Sequence, residues 1–169
     1  MGIQFNADEI FAIAERMEEN AAAFYRRAAE LHGSGASGQV DFLLRLADME
    51  DEHKRTFSQM RGELTARETE GTAADPDREA GLYLDEMADT RGGEGAPRIT
   101  ASLNGDESME DILRMAIDLE GKAIVFYVGI KNSVPAKLGK ERLDNIIAQE
   151  KDHVVTLTDE LRKLKGAAS

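Results

Sequence analysis

The chain has 169 residues, a formal net charge of −12, no cysteine and only 5% aromatic residues, and its length predicts a single domain, residues 1–169. The absence of cysteine excludes disulfides, zinc ribbons, iron–sulfur clusters and thiol catalysis. The acidic charge argues against a nucleic-acid partner, because phosphate binding needs clustered lysine and arginine.

The sequence predicts four long helices. Capping residues mark the starts of two of them, since Asn6 precedes Glu9 by three residues and Ser108 precedes Asp111 by three. Glycine and proline mark the breaks between the helices. The predicted helices span residues 7–31, 39–67, 109–132 and 136–165.

A connector, residues 68–108, separates the second and third predicted helices and is much longer than an ordinary loop. Within it, Asp75-Pro76 can cap a short helix that runs to Met87, before a glycine-rich segment. A connector of this length is expected to cross the whole bundle, so that the second and third helices run parallel. The predicted fold class is therefore all-α, a four-helix bundle with a long crossover that carries a short helix.

The two halves of the chain repeat one another. Residues of the second and fourth helices correspond at an offset of 100, as Glu50 corresponds to Glu150. Residues of the first and third helices correspond at an offset of 102, as Tyr25 corresponds to Tyr127. The chain is therefore expected to form two copies of one helical hairpin, related by a pseudo-two-fold axis across the bundle.

In each predicted helix, apolar residues recur every three or four positions and so predict the buried face. Six polar residues interrupt these apolar stripes. They are Glu18, Glu50, His53, Glu120, Glu150 and His153. A buried carboxylate is costly unless it is paired or coordinated, and four together would repel one another. Two divalent ions would balance four carboxylates while both imidazoles stay neutral.

The spacing within each Glu-x-x-His motif also suits a metal. Residues three apart lie on one helix face, about 4.5 Å apart along its axis, so Glu50 and His53 can bind one ion. Oxygen-rich ligation with one imidazole per ion favours iron, with manganese as the alternative. We predict two ions roughly 3.5–4 Å apart. The sequence leaves open whether Glu50 and Glu150 bridge them or whether the glutamates of the first and third helices do.

A single Glu-x-x-His motif would have a simpler interpretation, because this spacing is common by chance on solvated helix faces. Two copies in register, each with a lone core glutamate, favour the metal site.

Tyr25 and Tyr127 lie on the same faces as Glu18 and Glu120, and can be plain core aromatics. Because a buried phenol needs a partner, we expect each to contact a ligand of the opposite half. His32 is predicted only to end the first helix, where the dipole favours it.

This paired motif resembles the ferritin-like superfamily in its rubrerythrin-like branch, over residues 7–165. The resemblance implies a ferritin-like bundle whose di-iron centre is held by the six residues above, which would act catalytically through the metals. It also implies reduction of hydrogen peroxide, or oxidation of Fe(II) by dioxygen or peroxide, and assembly into dimers or larger oligomers.

Two features depart from rubrerythrins. Those proteins carry a rubredoxin-like domain with four cysteines that delivers electrons, whereas this chain has no cysteine, so an external electron donor is expected. They also carry a further glutamate three residues after the third-helix ligand, where this chain has Ala123. The resemblance therefore does not extend to the ligand exchange associated with that glutamate.

The sequence leaves three functions open. The first is a di-iron or iron–manganese carboxylate oxidoreductase of rubrerythrin-like type, a non-haem peroxidase that uses peroxide or dioxygen and an external donor. The second is a ferroxidase for iron storage or detoxification. The third is a non-catalytic helical interaction module that its metals stabilise.

Location and assembly are expectations from the same sequence. No apolar run reaches the length of a membrane span, and residues 1–6 have no signal-peptide pattern. We therefore expect a cytoplasmic protein without a membrane partner. The expected assembly is a homodimer or a larger homo-oligomer.

Overall fold

The computed structural model describes residues 6–33, 37–69, 100, 103–131 and 140–167. The helices within these residues are α1 (Ala7–Leu31), α2 (Ser37–Gly62), α3 (Ala66–Thr69), α4 (Met109–Ile130) and α5 (Lys140–Ala167). No strand occurs in these ranges, so the predicted all-α class is confirmed. None of these helices is long and apolar enough to cross a bilayer.

Both predicted capping boxes are present. The Asn6 side chain accepts a hydrogen bond from the Glu9 backbone N–H at 2.8 Å, and the Glu9 carboxylate accepts one from the Asn6 N–H at 2.9 Å. Ser108 and Asp111 make the same reciprocal pair at the start of α4. These bonds satisfy N–H groups that a first helical turn leaves unbonded, so α1 and α4 begin where the sequence predicts.

The predicted second helix, residues 39–67, is wrong at its end, whereas its start differs by only two residues. α2 begins earlier, at Ser37, and ends at Gly62. A break at 63–65 separates it from the short helix α3. Glycine loses more backbone freedom on folding than any other residue, so Gly62 weakens the helix at the point where it stops.

The ends of the other two long helices differ only slightly from the prediction. α4 ends at Ile130 and α5 extends to Ala167, each two residues from the prediction and within ordinary fraying of helix ends. The predicted start of the fourth helix at residue 136 lies outside the described residues. So does the short helix predicted from Asp75 to Met87.

Ion pairs between neighbouring helices establish their directions. α1 is antiparallel to α2, because Asp8 near the start of α1 pairs with Arg61 near the end of α2. Further along, Arg26 of α1 pairs with Asp51 of α2. α4 and α5 form a second antiparallel hairpin, with the pairs Lys131–Asp144 and Glu110–Lys165.

The two hairpins pack so that α1 also runs antiparallel to α4. Tyr25 of α1 contacts Glu120, whereas Glu18, two turns earlier, contacts Tyr127. Two helices that are each antiparallel to α1 are parallel to each other, so α2 and α4 run in the same direction. The end of α2 and the start of α4 therefore lie at opposite ends of the bundle, and the predicted four-helix bundle with a crossover connection is confirmed.

The core of the described residues consists of two large apolar clusters with a polar layer between them, and a small third cluster of Ile13 and Met17. One cluster surrounds Phe24, Leu43 and Leu157, and the other surrounds Phe11 and Phe57. The six polar residues predicted for the site lie between these clusters and are each 2% exposed or less. Burial of the apolar residues on both sides holds the four helices together and therefore positions this layer.

Candidate metal centre

All six polar residues predicted for the site converge in the middle of the bundle. They form two overlapping groups, and within each group the candidate ligand atoms lie within 4.8 Å of one another. The His53 group contains Glu18, Glu50, His53 and Glu150. The His153 group contains Glu50, Glu120, Glu150 and His153.

Glu50 and Glu150 belong to both groups. Because α2 and α5 are antiparallel, each histidine faces the glutamate of the other helix. The His53 Nδ1 lies 2.9 Å from a Glu150 oxygen, and the His153 Nδ1 lies 3.1 Å from a Glu50 oxygen. The shared carboxylates therefore lie between the two histidines, and Glu18 and Glu120 each serve one group.

Both histidines turn their Nδ1 atoms towards the carboxylates. Within each Glu-x-x-His motif, Nδ1 lies 3.1 Å from the glutamate of the same helix. The two rings stack with their centroids 5.6 Å apart. This arrangement places two nitrogen donors and four carboxylates around one small volume.

Protons offset part of the charge when the centre holds no metal. Burial raises the pKa of Glu18 well above its usual value and that of Glu120 to about 7. Burial disfavours the imidazolium of His53 and His153, but close carboxylates outweigh it and raise the pKa of both. Burial and the charge of Glu50 oppose ionisation of Glu150, yet contacts with both histidines lower its pKa.

The donor set fits a pair of divalent ions. Within the described part of the chain, several buried atoms of the centre make no directional hydrogen bond: Glu50 Oε1, both carboxylate oxygens of Glu150, and both ring nitrogens of His153. Leaving buried polar atoms unbonded is costly. Carboxylate oxygens with imidazole nitrogen are the ligands that iron and manganese favour, so two such ions would satisfy the carboxylate oxygens and the His153 Nδ1.

The two tyrosines connect the hairpins through the centre. Tyr25 donates a hydrogen bond to Glu120, and Tyr127 donates one to Glu18. Burial, and then the neighbouring carboxylates, raise the pKa of both phenols well above the usual value. Both therefore remain protonated donors at neutral pH, and each orients a carboxylate that serves one group.

Replacing both tyrosines with phenylalanine is expected to weaken metal binding by about tenfold to a hundredfold, the usual effect of losing a partner of a ligand. Phenylalanine fills nearly the same volume, so Tyr25→Phe with Tyr127→Phe should still fold. Competition with a metal indicator under anaerobic conditions would measure the change. Unchanged affinity would mean that the phenols do not orient the carboxylates.

Gln149 is a contact that the sequence did not indicate. Its Oε1 lies 2.6 Å from Nε2 of His53, on the side of the ring away from the carboxylates. Gln149 precedes Glu150 and lies off the apolar stripe, so periodicity gives no signal for it. Only the packing of α5 against α2 brings it to His53.

His32 lies outside the centre, at the end of α1. Its Nδ1 lies 3.0 Å from the Ala28 carbonyl and its Nε2 lies 2.9 Å from the Glu107 carbonyl. The ring therefore links the end of α1 to the segment that precedes α4. This contact gives His32 a structural role in the bundle.

Comparisons with known proteins support the fold. No protein-family model matches the chain, and no curated protein matches its sequence. Among solved structures, the chain is similar to a crystal structure of a candidate ferritin-like di-iron carboxylate protein from Thermotoga maritima. The TM-score is 0.67 and the sequence identity 22%, over 96% of this chain and 98% of that one. A likeness over nearly all of both chains shows a shared fold, as the resemblance predicts.

Proposed function

We propose that this chain, which has the ferritin-like four-helix-bundle fold, is a di-iron carboxylate oxidoreductase of rubrerythrin-like type. One observation carries the proposal. The apolar core of the described residues contains two overlapping groups of buried ligand atoms, and within each group the atoms lie within 4.8 Å of one another. The similar Thermotoga maritima protein bears a di-iron carboxylate name, which supports iron over manganese.

Each residue of the centre would have a defined position around the metals. Glu50 and Glu150 would serve both ions, because both belong to the His53 group and to the His153 group. Glu18 and His53 would complete the ligand set of one ion, and Glu120 and His153 would complete that of the other. Four carboxylates and two divalent ions make the filled centre close to neutral.

The metals would supply two electrons to peroxide or dioxygen, chemistry that the side chains cannot perform. The chain itself would orient the carboxylates through Tyr25 and Tyr127 and exclude bulk water with the two apolar clusters. Reduction of one peroxide to two waters consumes two electrons and two protons. Because the chain has no cysteine, the electrons would come from a separate donor.

Oxidation of Fe(II) for storage or detoxification is the second candidate. The net charge of −12 favours it, because an acidic surface raises the local concentration of Fe(II). In that case Fe(II) would be the substrate as well as the resident metal. A third role, in which the metals only stabilise the bundle, would need no reaction with an oxidant.

Stopped-flow oxidation of the Fe(II)-loaded protein would separate these functions. We expect one peroxide to oxidise the two irons of each chain and, with a supplied reductant, continuous peroxide consumption. Oxidation and retention of many added Fe(II) ions would favour storage instead. Oxidation no faster than that of free Fe(II) would leave only the stabilising role. The oligomer mass would test the predicted homodimer and distinguish it from a storage cage.

A further inference from the structure

We propose that the two metal sites are inequivalent, and that the site of His53 binds its ion more tightly and fills first. The difference arises from Gln149, which bonds to His53, whereas Met49 occupies the corresponding position in the other half. This inference rests on the proposed two-metal function and adds an order of filling to it.

The groups that would bind the metals do not create this difference, because they are closely symmetric. The distances from the His53 Nδ1 to its three carboxylates are 2.9, 3.1 and 3.8 Å. The corresponding distances for the His153 Nδ1 are 3.1, 3.1 and 3.7 Å. Each group also has one tyrosine that donates to its own glutamate. These contacts by themselves would give two nearly equal sites.

The symmetry breaks at the other ring nitrogen. Nε2 of His53 lies 2.6 Å from the Gln149 side-chain oxygen. At the repeat offset of 100, Met49 corresponds to Gln149, and a thioether is only a weak acceptor. Nε2 of His153 is buried and makes no hydrogen bond with any residue that the structure describes.

Metal binding makes this difference matter. A neutral imidazole that binds a metal through Nδ1 carries its proton on Nε2. At His53 that N–H donates to Gln149, which fixes the tautomer and the ring and raises the basicity of Nδ1. At His153 the same N–H would be buried with no acceptor among the described residues, which is unfavourable.

The expected difference in affinity can be taken from hydrogen-bond partners of metal ligands in other proteins. Losing the hydrogen-bond partner of a ligand typically lowers metal affinity by about tenfold to a hundredfold. We therefore expect the two sites to differ by about that factor. At free metal concentrations between the two dissociation constants, an ion would occupy the His53 site while the His153 site is largely empty.

Gln149 and Met49 can be exchanged to test the inference without redox chemistry. Metal-free protein would be titrated with Mn(II) by calorimetry, and crystals with one equivalent would be measured by anomalous diffraction. In the unaltered chain we expect two binding steps and stronger anomalous density beside His53. Met49→Gln, at a position 39% exposed, should strengthen the weaker step, and Gln149→Met should weaken the tighter one.

The double exchange, Met49→Gln with Gln149→Met, is the most direct test because it preserves composition. It should move the stronger density from His53 to His153, an outcome that general damage to the bundle cannot produce. Gln149→Glu, which keeps an acceptor at this position, should keep the original order of filling. If Gln149→Met does not fold, loss of the affinity difference in Met49→Gln alone decides the question.

Two results would overturn the inference: equal occupancy of both sites at one equivalent of Mn(II), or an order of filling that the double exchange leaves unchanged. Failure of the unaltered chain to bind any Mn(II) or Fe(II) would instead refute the two-metal function. The two failures are therefore distinguishable in the same titration.

Discussion

Replacing Glu50 and Glu150 together with alanine is expected to abolish binding of both metal ions. Each carboxylate belongs to both groups of ligand atoms, so the double variant removes two ligands from each site. The loss should exceed about 100-fold in affinity, the upper end of the effect of changing a residue that only supports a ligand. Metal analysis after anaerobic loading with Fe(II) would measure it.

Glu52→Ala with Asp152→Ala is the matched control, because it removes the same charge from the same two helices. Glu52 and Asp152 are exposed and correspond at the repeat offset of 100. This control should still bind two ions. Glu50→Gln with Glu150→Gln keeps the side-chain shape and guards against misfolding. Two tightly bound irons in either Glu50 and Glu150 double variant would show that the assignment is wrong.

The stability of the metal-free protein is expected to fall as pH rises from about 5 to 8. Burial raises the pKa of Glu18 and Glu120, so the folded chain binds more protons than the unfolded one. Their stabilising contribution is complete below the unfolded pKa and is lost as pH rises through the folded pKa. For Glu120, the rise from 4.5 to about 7 corresponds to about 3 kcal/mol.

The histidines act in the same direction at higher pH. The pKa of both His53 and His153 is raised in the folded chain, so stability decreases further above the unfolded histidine pKa of about 6.5. The lowered pKa of Glu150 acts in the opposite direction, but its contribution is lost only as pH falls below the usual glutamate range. The net slope between pH 5 and 8 is therefore negative.

Bound metal should cancel this pH dependence, because the ions replace the protons and the metal affinity rises as the ligands deprotonate. One site contributes about 4 kcal/mol of stability when free metal exceeds its dissociation constant by about 1,000-fold. The gain in melting temperature on adding Mn(II) should therefore widen towards alkaline pH. Thermal unfolding with and without Mn(II), across this pH range, would measure both slopes.

A variant in which Glu18 and Glu120 are neutral provides the control for this pH dependence. Glu18→Gln with Glu120→Gln cannot ionise, so the metal-free variant should lose much of the slope and exceed the unaltered protein in stability above pH 7. Below the unfolded glutamate pKa the two should be similar. Parallel curves for metal-free and metal-loaded protein would mean that the carboxylates do not share one buried site.

The local structure and the burial of the centre could be predicted from the sequence, because both follow from patterns along one helix. An apolar period of three to four residues places Glu18 and Glu50 on buried faces, whatever those faces pack against. The capping box at Asn6 likewise depends only on neighbouring residues. The prediction was wrong at the end of α2, where the break at Gly62 interrupts a helix that the apolar pattern alone would continue.

The contacts across the bundle could be decided only by the tertiary structure. Which glutamates are shared depends on the register of α2 against α5, and the bond from Tyr25 to Glu120 depends on α1 lying beside α4. The contact of Gln149 with His53 has no signal in the apolar period. One helix determines which side chains share a face, whereas the packing of a second helix determines which atoms those side chains meet.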